Sequence, residues 1–424
     1  MTAVLDPTPP PTTSAELESP RASVSAAVRD YIARVRGGDV GALPAVLGLM
    51  VLVAVFSFLR PATFTNSLNF SNLIHQSAAL IVIGMGLVFA LLLGEIDLSA
   101  GYAAGSSAAV MGIVVTRQGQ PWEIAVLAAL AAGVVIGTTI GLLVARLGIP
   151  SFVVTLAAFL GLQGVLLGFI GDGGTIPIRD NTLVALNNDN LPIWLGWVLF
   201  AVVIGGYAFV SISRAATRRR DGLVADALPV VIAKVVVLAV LLGAATAYLS
   251  QERSKNPTLT SLKGVPKVVV LLVVLLVGLN FLLGRTAFGR HVYAVGGNAE
   301  AARRAGISVP RVRLTCFILC STLAAVGGIL LASRDNSISP TTGGADTLLY
   351  AVGAAVIGGT SLFGGKGKMT DPVLGGLVIS VIINGMILLN KKSSTVYMVT
   401  GIVLLVAASV DAISRRRAAA TGRV

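Results

Sequence analysis

The sequence predicts an all-α protein, a polytopic membrane helical bundle of about twelve transmembrane helices. Three observations predict it. Of the 424 residues, 55% are hydrophobic and only 12% are charged, about half the charged share of a soluble domain. Mean hydropathy is +0.87. The apolar residues also fall into runs near the ~20 needed to span a bilayer, joined by short polar links.

The elements follow in order. Residues 1–25 are rich in Pro, Thr, Ser and Ala and cannot bury a core, so they are expected to be disordered within a tail, 1–42, that ends in a basic juxtamembrane stretch at Tyr31–Gly38. It is not a signal peptide, because no cationic region precedes an early apolar run. Apolar segments then cover 43–59, 73–93, 98–116, 122–145, 151–170, 192–213, 229–249, 265–284, 314–333, 346–363, 371–390 and 395–413. The membrane domain is therefore 43–413, followed by a basic tail, 414–424. The links Gly94–Asp97 and Arg146–Pro150 are short enough to be tight turns or breaks inside the bilayer. The 48 glycines fit helices that approach closely or break around a cavity. Cys316 and Cys320 share a helix face at a spacing that suits a disulfide poorly, and read as small buried side chains.

A net charge of +13 would suggest nucleic acid in a soluble protein. Here the arginines sit in loops. An even helix count puts both termini on one side, and that side holds 21 of the 32 Lys and Arg, against 10 opposite and Lys234 within a segment. A multi-pass cell-membrane protein with both termini cytoplasmic follows. Lys391 and Lys392 run against the count. Lys234 can snorkel to the headgroups.

The run Gly359–Gly367 looks like a phosphate loop and is not one. Gly365 stands where the lysine is needed, Gly367 follows Lys366, and a membrane segment precedes it instead of a strand. A close-packed turn at the cytoplasmic face is expected, with no ATP site of the chain's own. Two histidines and no carboxylate cluster exclude a metal site. His75 reads as interfacial. No catalytic set and no cofactor is expected.

In Gly94–Gly101, Asp97 or Ser99 can cap a helix beginning at Leu98. A carboxylate at mid-bilayer costs ~2.5–3.5 kcal/mol and needs a partner, a cavity or the interface. The stretch is an interfacial turn or a break lining a pathway. Candidate pathway or gate residues are Glu95, Asp97 and Ser99, with Gly358, Gly359 and Thr360.

The loop Gly284–Arg313 predicts a short helix, Asn298–Ala305. Asn298 serves as N-cap and Glu300 lies in the first turn. Arg303 and Arg304 lie in the last turn, and Gly306 is the stop. Glu300 meets both arginines at i+3 and i+4. Ala301, Ala302 and Ala305 form a small-residue face suited to a groove. Gly296, Gly297 and Gly306 let the chain turn sharply.

Phe288–Ile307 resembles the cytoplasmic loop of monosaccharide ABC-importer permeases of the ribose, arabinose and xylose types, whose wider family includes branched-chain amino-acid permeases. Ala355–Gly367 is similar to their second signature, and Gly94–Gly101 to their Gly-Gly-Ile-Asp-Leu-Ser signature. The resemblance covers about 43–413, and the extra pair of segments at 192–249 looks most like the xylose-type branch. Glu95 departs by standing where glycine is usual, and Thr347–Tyr350 replaces an acidic Glu-Leu-Asp stretch. The resemblance implies a permease homodimer carrying a pentose such as xylose. A separate cytoplasmic ATPase subunit would drive it and an extracytoplasmic sugar-binding protein would supply it. Gly289, Gly296, Gly297, Asn298, Glu300, Ala301, Ala302, Arg303, Arg304 and Gly306 would form the ATPase-coupling loop. The outer loops Gly171–Leu191 and Arg334–Asp346, with Asp172, Asp180, Asp189, Asp335 and Asp346, are expected to touch the binding protein. The alternatives are a branched-chain amino-acid permease and an ion-coupled secondary transporter, for which only Glu95 and Asp97 are coupling candidates.

Overall fold

Every apolar segment becomes a helix in the computed structural model, which describes residues 41, 43–171, 173–222, 228–254, 256–258 and 261–420. The expected tail up to residue 40, Asp172 and residues 421–424 lie outside the described residues. In chain order the helices are α1 Leu43–Leu59, α2 Pro61–Phe64, α3 Ser67–Leu92, α4 Ala100–Gly112, α5 Trp122–Ala145 and α6 Ser151–Ile170. Next come α7 Asn181–Asn188, α8 Ile193–Arg220, α9 Leu228–Leu249, α10 Val268–Arg285, α11 Ala287–Gly297 and α12 Ala299–Arg304. The last four are α13 Val309–Asp335, α14 Ala345–Gly358, α15 Asp371–Leu388 and α16 Ser393–Ala420. Among the described residues, 8 helices are long and apolar enough to cross a membrane, while α1, α14 and the apolar part of α16 are shorter.

The core is built on α3 and α13. Both are apolar around much of their circumference, and their central residues, including Phe89 and Phe317, are fully buried. Such all-round burial marks helices surrounded by other helices. In lipid the hydrophobic effect does not draw helices together, so close backbone approach must supply the contact. The sequence provides it on α5, where Ala125, Ala129, Gly133, Gly137 and Gly141 repeat every fourth residue and all are buried. This stripe lies along α13: a Cβ on Gly137 would press on the Phe317 carbonyl, and one on Gly141 would meet Leu314.

Segment ends differ from the hydropathy reading where local chemistry overrides it. α3 starts ahead of its apolar run because Asn66 caps it, accepting the Leu68 N–H at 2.9 Å. α14 stops at Gly358 because Gly359 turns to φ +120°, which shortens the expected 346–363. α4 continues past Gly112 as a π-helical turn, Ile113–Arg117.

The connections 173–192 and 336–344 carry structure of their own. Strand β1, Ile176–Pro177, pairs antiparallel with β2, Ser337–Ile338, with Ile176 opposite Ile338. Asp180 caps α7 through the Thr182 and Leu183 N–H groups at 2.9 and 3.0 Å. The described parts of the strap, 250–254, 256–258 and 261–267, lie at this end, where Leu191 N–H donates to Val265 O at 2.7 Å.

Residues 197–245, the inner parts of α8 and α9, form a unit of their own. Few of their side chains are buried, and Trp197 meets Phe200 edge-to-face at 5.6 Å. Helices so apolar and so bare are stable in lipid, not in water.

Candidate functional site

α3 ends in a Schellman stop. Gly94 takes φ +75°, its N–H reaches Leu91 O at 2.9 Å, and the Glu95 N–H reaches Ala90 O at 3.1 Å. Asp97 then folds back. Its Oδ1 accepts from the Ser99 N–H at 2.9 Å and the Ser99 hydroxyl at 2.6 Å. Because Ser99 spends its hydroxyl on Asp97, it sits at the N-cap of α4 without capping it, and the helix opens at Ala100 instead of Leu98. Asp97 is buried beside the Cys320 thiol, and its Oδ2 has no hydrogen-bond partner among the described residues. Thr155 on α6 donates to Ile96 O at 3.1 Å, so the turn is pinned from a third helix. Glu95 points elsewhere and meets Arg313 of α13 at 3.1 Å, without alignment for a hydrogen bond.

The stretch 286–306 holds two helices where the sequence predicted one. Thr286 caps α11 by accepting the Gly289 N–H at 3.2 Å. α12 follows as expected. Asn298 Oδ1 accepts the Ala301 N–H at 2.9 Å, and Glu300 pairs with Arg303 at 2.9 Å and Arg304 at 3.2 Å. Hydrogen bonds from Arg303 and Arg304 hold the Glu300 carboxyl below its ordinary range. Gly306, at φ +83°, ends α12 in a second Schellman stop: its N–H reaches Arg303 O, and the Ile307 N–H reaches Ala302 O, both at 3.0 Å.

The glycine-rich turn after α14 is closed on itself and preceded by a helix. Ser361 N–H donates to Lys366 O at 2.8 Å, and Thr360 Oγ1 donates to Asp371 Oδ2 at 2.9 Å. Gly358 lies so close to Asp371 that a side chain there would strike its backbone.

The three motifs meet. Gly365 N–H donates to Leu92 O, the last carbonyl of α3, at 2.9 Å. A Cβ on Gly296 would collide with that same oxygen, and one on Gly364 would lie 2.9 Å from Gly296 O and 3.0 Å from Gly94 N. Tyr293 on α11 donates to Gly367 O at 2.8 Å. One end of the bundle thus joins the turn after α3, the helical loop and the glycine turn through backbone contacts that only glycine permits.

Two sequence expectations are corrected. Gly296 and Gly297 are helical and do not turn the chain; Gly296 serves close packing, and only Gly306 supplies a positive φ. Ala302 does not share an outward face with Ala301 and Ala305, because it is buried in the core while they are exposed. At the opposite end four of the acids have partners within the chain, while Asp189 and Asp335 keep 55% and 50% of their side-chain surface exposed. Asp180 caps α7, Asp189 pairs with Lys267 at 2.9 Å, Asp335 pairs with Arg334 at 3.6 Å, and Asp346 accepts from Tyr397 at 2.6 Å. Sequence reasoning also missed Tyr293, Arg313 and Asp371. The amphipathic run of α11 and the Asp-Pro pair opening α15 were the available signals for two of them; nothing local marks Arg313.

A sequence profile described as branched-chain amino acid transport system / permease component matches residues 69–408. The chain belongs to this permease family. Its relatives include the xylose transport system permease protein XylH of Escherichia coli K12, 33% identical over 88% of this permease and 92% of the relative. XylH of Haemophilus influenzae is 32% identical over 88% and 96%. The ribose import permease protein RbsC of E. coli K12 is 29% identical over 86% and 92%. No solved structure matches this permease.

Proposed function

We propose that this permease is the membrane subunit of an ATP-driven importer that carries a monosaccharide, a pentose such as xylose. The observation that carries the reading is the meeting of the three motifs at Leu92. Through Gly296 and Tyr293 it ties α11, which leads directly into the capped helix α12, to the end of α3 and to the glycine turn after α14, so a push on α12 reaches the membrane core. The names of the XylH and RbsC relatives supply the cargo class. In this reading two copies of the chain pair, a separate ATPase grips α12, and an extracytoplasmic binding protein delivers sugar to the far end. Residues 43–413 are the permease body, and both flanking tails are cytoplasmic. Glu95, Asp97 and Ser99, with Gly358, Gly359 and Thr360, hold the joint that the ATPase moves.

The test is copurification of the full chain with candidate ATPase and binding-protein partners, followed by ATP-dependent uptake of labelled D-xylose, D-ribose and L-leucine into proteoliposomes. Pentose uptake that needs all three proteins is expected. Leucine uptake without pentose uptake transfers the cargo to branched-chain amino acids, and uptake driven by an ion gradient alone overturns the importer. Cysteines placed at Ser14 and Thr421 should resist membrane-impermeant reagents in intact cells. Labelling of either reverses the topology.

A further inference from the structure

We infer that the arginine-tipped end of α8 binds an anionic phospholipid, with the phosphate on the arginines and an acyl chain along the apolar helix beneath them. Residues 197–245 carry Arg214, Arg218, Arg219, Arg220 and Lys234 against Asp221 and Asp226. α8 stays helical through Arg220, so its four arginines ride on a rigid rod. Trp197 of the same helix is exposed. Arg214 lies about 26 Å along the helix from it, close to the ~30 Å of a hydrocarbon core. With an indole at one interface, Arg214 falls at the phosphate layer of the other, and Arg218, Arg219 and Arg220 rise a further turn through the headgroups.

Membrane orientation alone asks for cations near a helix end, not for cations on one face. Here Tyr207, Ser211, Arg214 and Arg218 recur at i, i+4, i+7 and i+11, a single stripe of an α-helix. Arg214 and Arg218 are exposed, and neither pairs with an acid among the described residues. By contrast, Arg303 and Arg304 are answered by Glu300, and Arg313 by Glu95. A guanidinium grips two oxygens of a phosphate at once, and two guanidiniums one turn apart can share one phosphodiester. The ground beneath Arg214 is apolar and bare. Val210, one turn deeper, and the Tyr207 ring, two turns deeper, are both exposed. A soluble anion would leave that ground unused. An acidic protein would meet the outer arginines without reaching Arg214 in the phosphate layer. A phospholipid answers both the charge and the apolar surface. A zwitterionic headgroup brings its own ammonium to the arginines and forfeits most of the attraction, so the preference is for net negative charge.

The experiment uses the full-length permease in phosphatidylcholine proteoliposomes, with a fluorophore on Thr217→Cys. Thr217 is exposed and one turn from Arg214, and both native cysteines are buried and escape labelling. Phosphatidylglycerol or phosphatidylcholine carrying a quencher high on the acyl chain is titrated into the bilayer. Half-quenching by phosphatidylglycerol is expected at roughly one fifth of the mole fraction that phosphatidylcholine needs, with the preference shrinking as salt is raised. Arg214→Gln combined with Arg218→Gln should bring the two lipids within about twofold of each other. Arg214→Lys combined with Arg218→Lys keeps the charge and should retain most of the preference. Equal quenching of the parent by the two lipids overturns the site. So does a preference that the glutamine pair leaves intact, which would assign it to the charge of the protein as a whole. A lysine pair no better than the glutamine pair also overturns it, because both would then report a disturbed fold. Equal quenching joined to shielding of the label by an added ATPase would give the surface to a protein partner instead.

Discussion

Glu95 and Arg313 face one another at 3.1 Å, fastening the turn after α3 to the first turns of α13. Neither hydropathy nor capping accounts for this pair. The two side chains are 14% and 33% exposed, so the pair is partly shielded from solvent. Glu95→Gln should lower stability by about 1 kcal/mol, read as an earlier thermal midpoint of the purified permease. The swap Glu95→Arg with Arg313→Glu should recover most of it. A swap no better than the single variant would show that the charges contribute nothing.

Gly296 and Gly297 separate packing from flexibility. A Cβ on Gly296 would collide with Leu92 O, whereas one on Gly297 would meet nothing within 4 Å. Gly296→Ala should therefore cost about 1–3 kcal/mol or more and sharply reduce folded yield. Gly297→Ala should behave like the parent. Equal behaviour of the two, measured by fluorescence-detected size exclusion, would refute the tight joint.

The buried placement of Ala302 decides how α12 is probed. Ala302→Trp would disrupt the permease's own core. Ala301→Trp changes only an exposed position. The latter should insert normally yet abolish ATPase copurification and uptake. Asn298→Ala, which removes the N-cap, should cost about 1 kcal/mol and speed amide exchange across 299–304. Normal ATPase binding by Ala301→Trp would free α12 from the coupling role.

The strap carries a pH dependence of known sign. The Leu262 and Ser254 N–H groups and the Ser261 hydroxyl hold the Glu252 carboxyl down to about 2, against an ordinary value of about 4.3. A depressed carboxyl stabilises above its unfolded value, and that stabilisation is lost as pH falls from about 4.3 through about 2. Accessibility of a cysteine at Thr258 should hold steady from neutral pH down to that window and rise within it. Glu252→Gln should show raised accessibility at neutral pH. A flat profile for both would deny Glu252 any role in ordering the strap.

The membrane bundle was legible because its signal is compositional and repeated. Each apolar run became a helix. The cap and stop of α12 were legible for the same reason, since Asn298, Glu300, Arg303, Arg304 and Gly306 act within one or two turns of one another. What could not be read was long-range. The Gly365 to Leu92 hydrogen bond, the Glu95 pair with Arg313 and the β1–β2 pairing join residues far apart in sequence, and no local pattern encodes the partner. Ala302 was misjudged because alanine is as acceptable inside as outside.

The backbone bond at Leu92 also sets an order of events on the ribosome. α3 emerges early, and its own hydrogen-bond ladder cannot satisfy its final carbonyl. The partner, Gly365, is synthesised only after α13 and α14 have followed. Until then that oxygen lacks this partner, even though Gly296, made earlier, can already pack against it. A nascent chain that stalls before the glycine turn is therefore unfinished at the Leu92 bond, however completely its early helices have inserted. Such fragments would present themselves to membrane proteases as open structures, and the joint at Leu92 closes only near the end of translation.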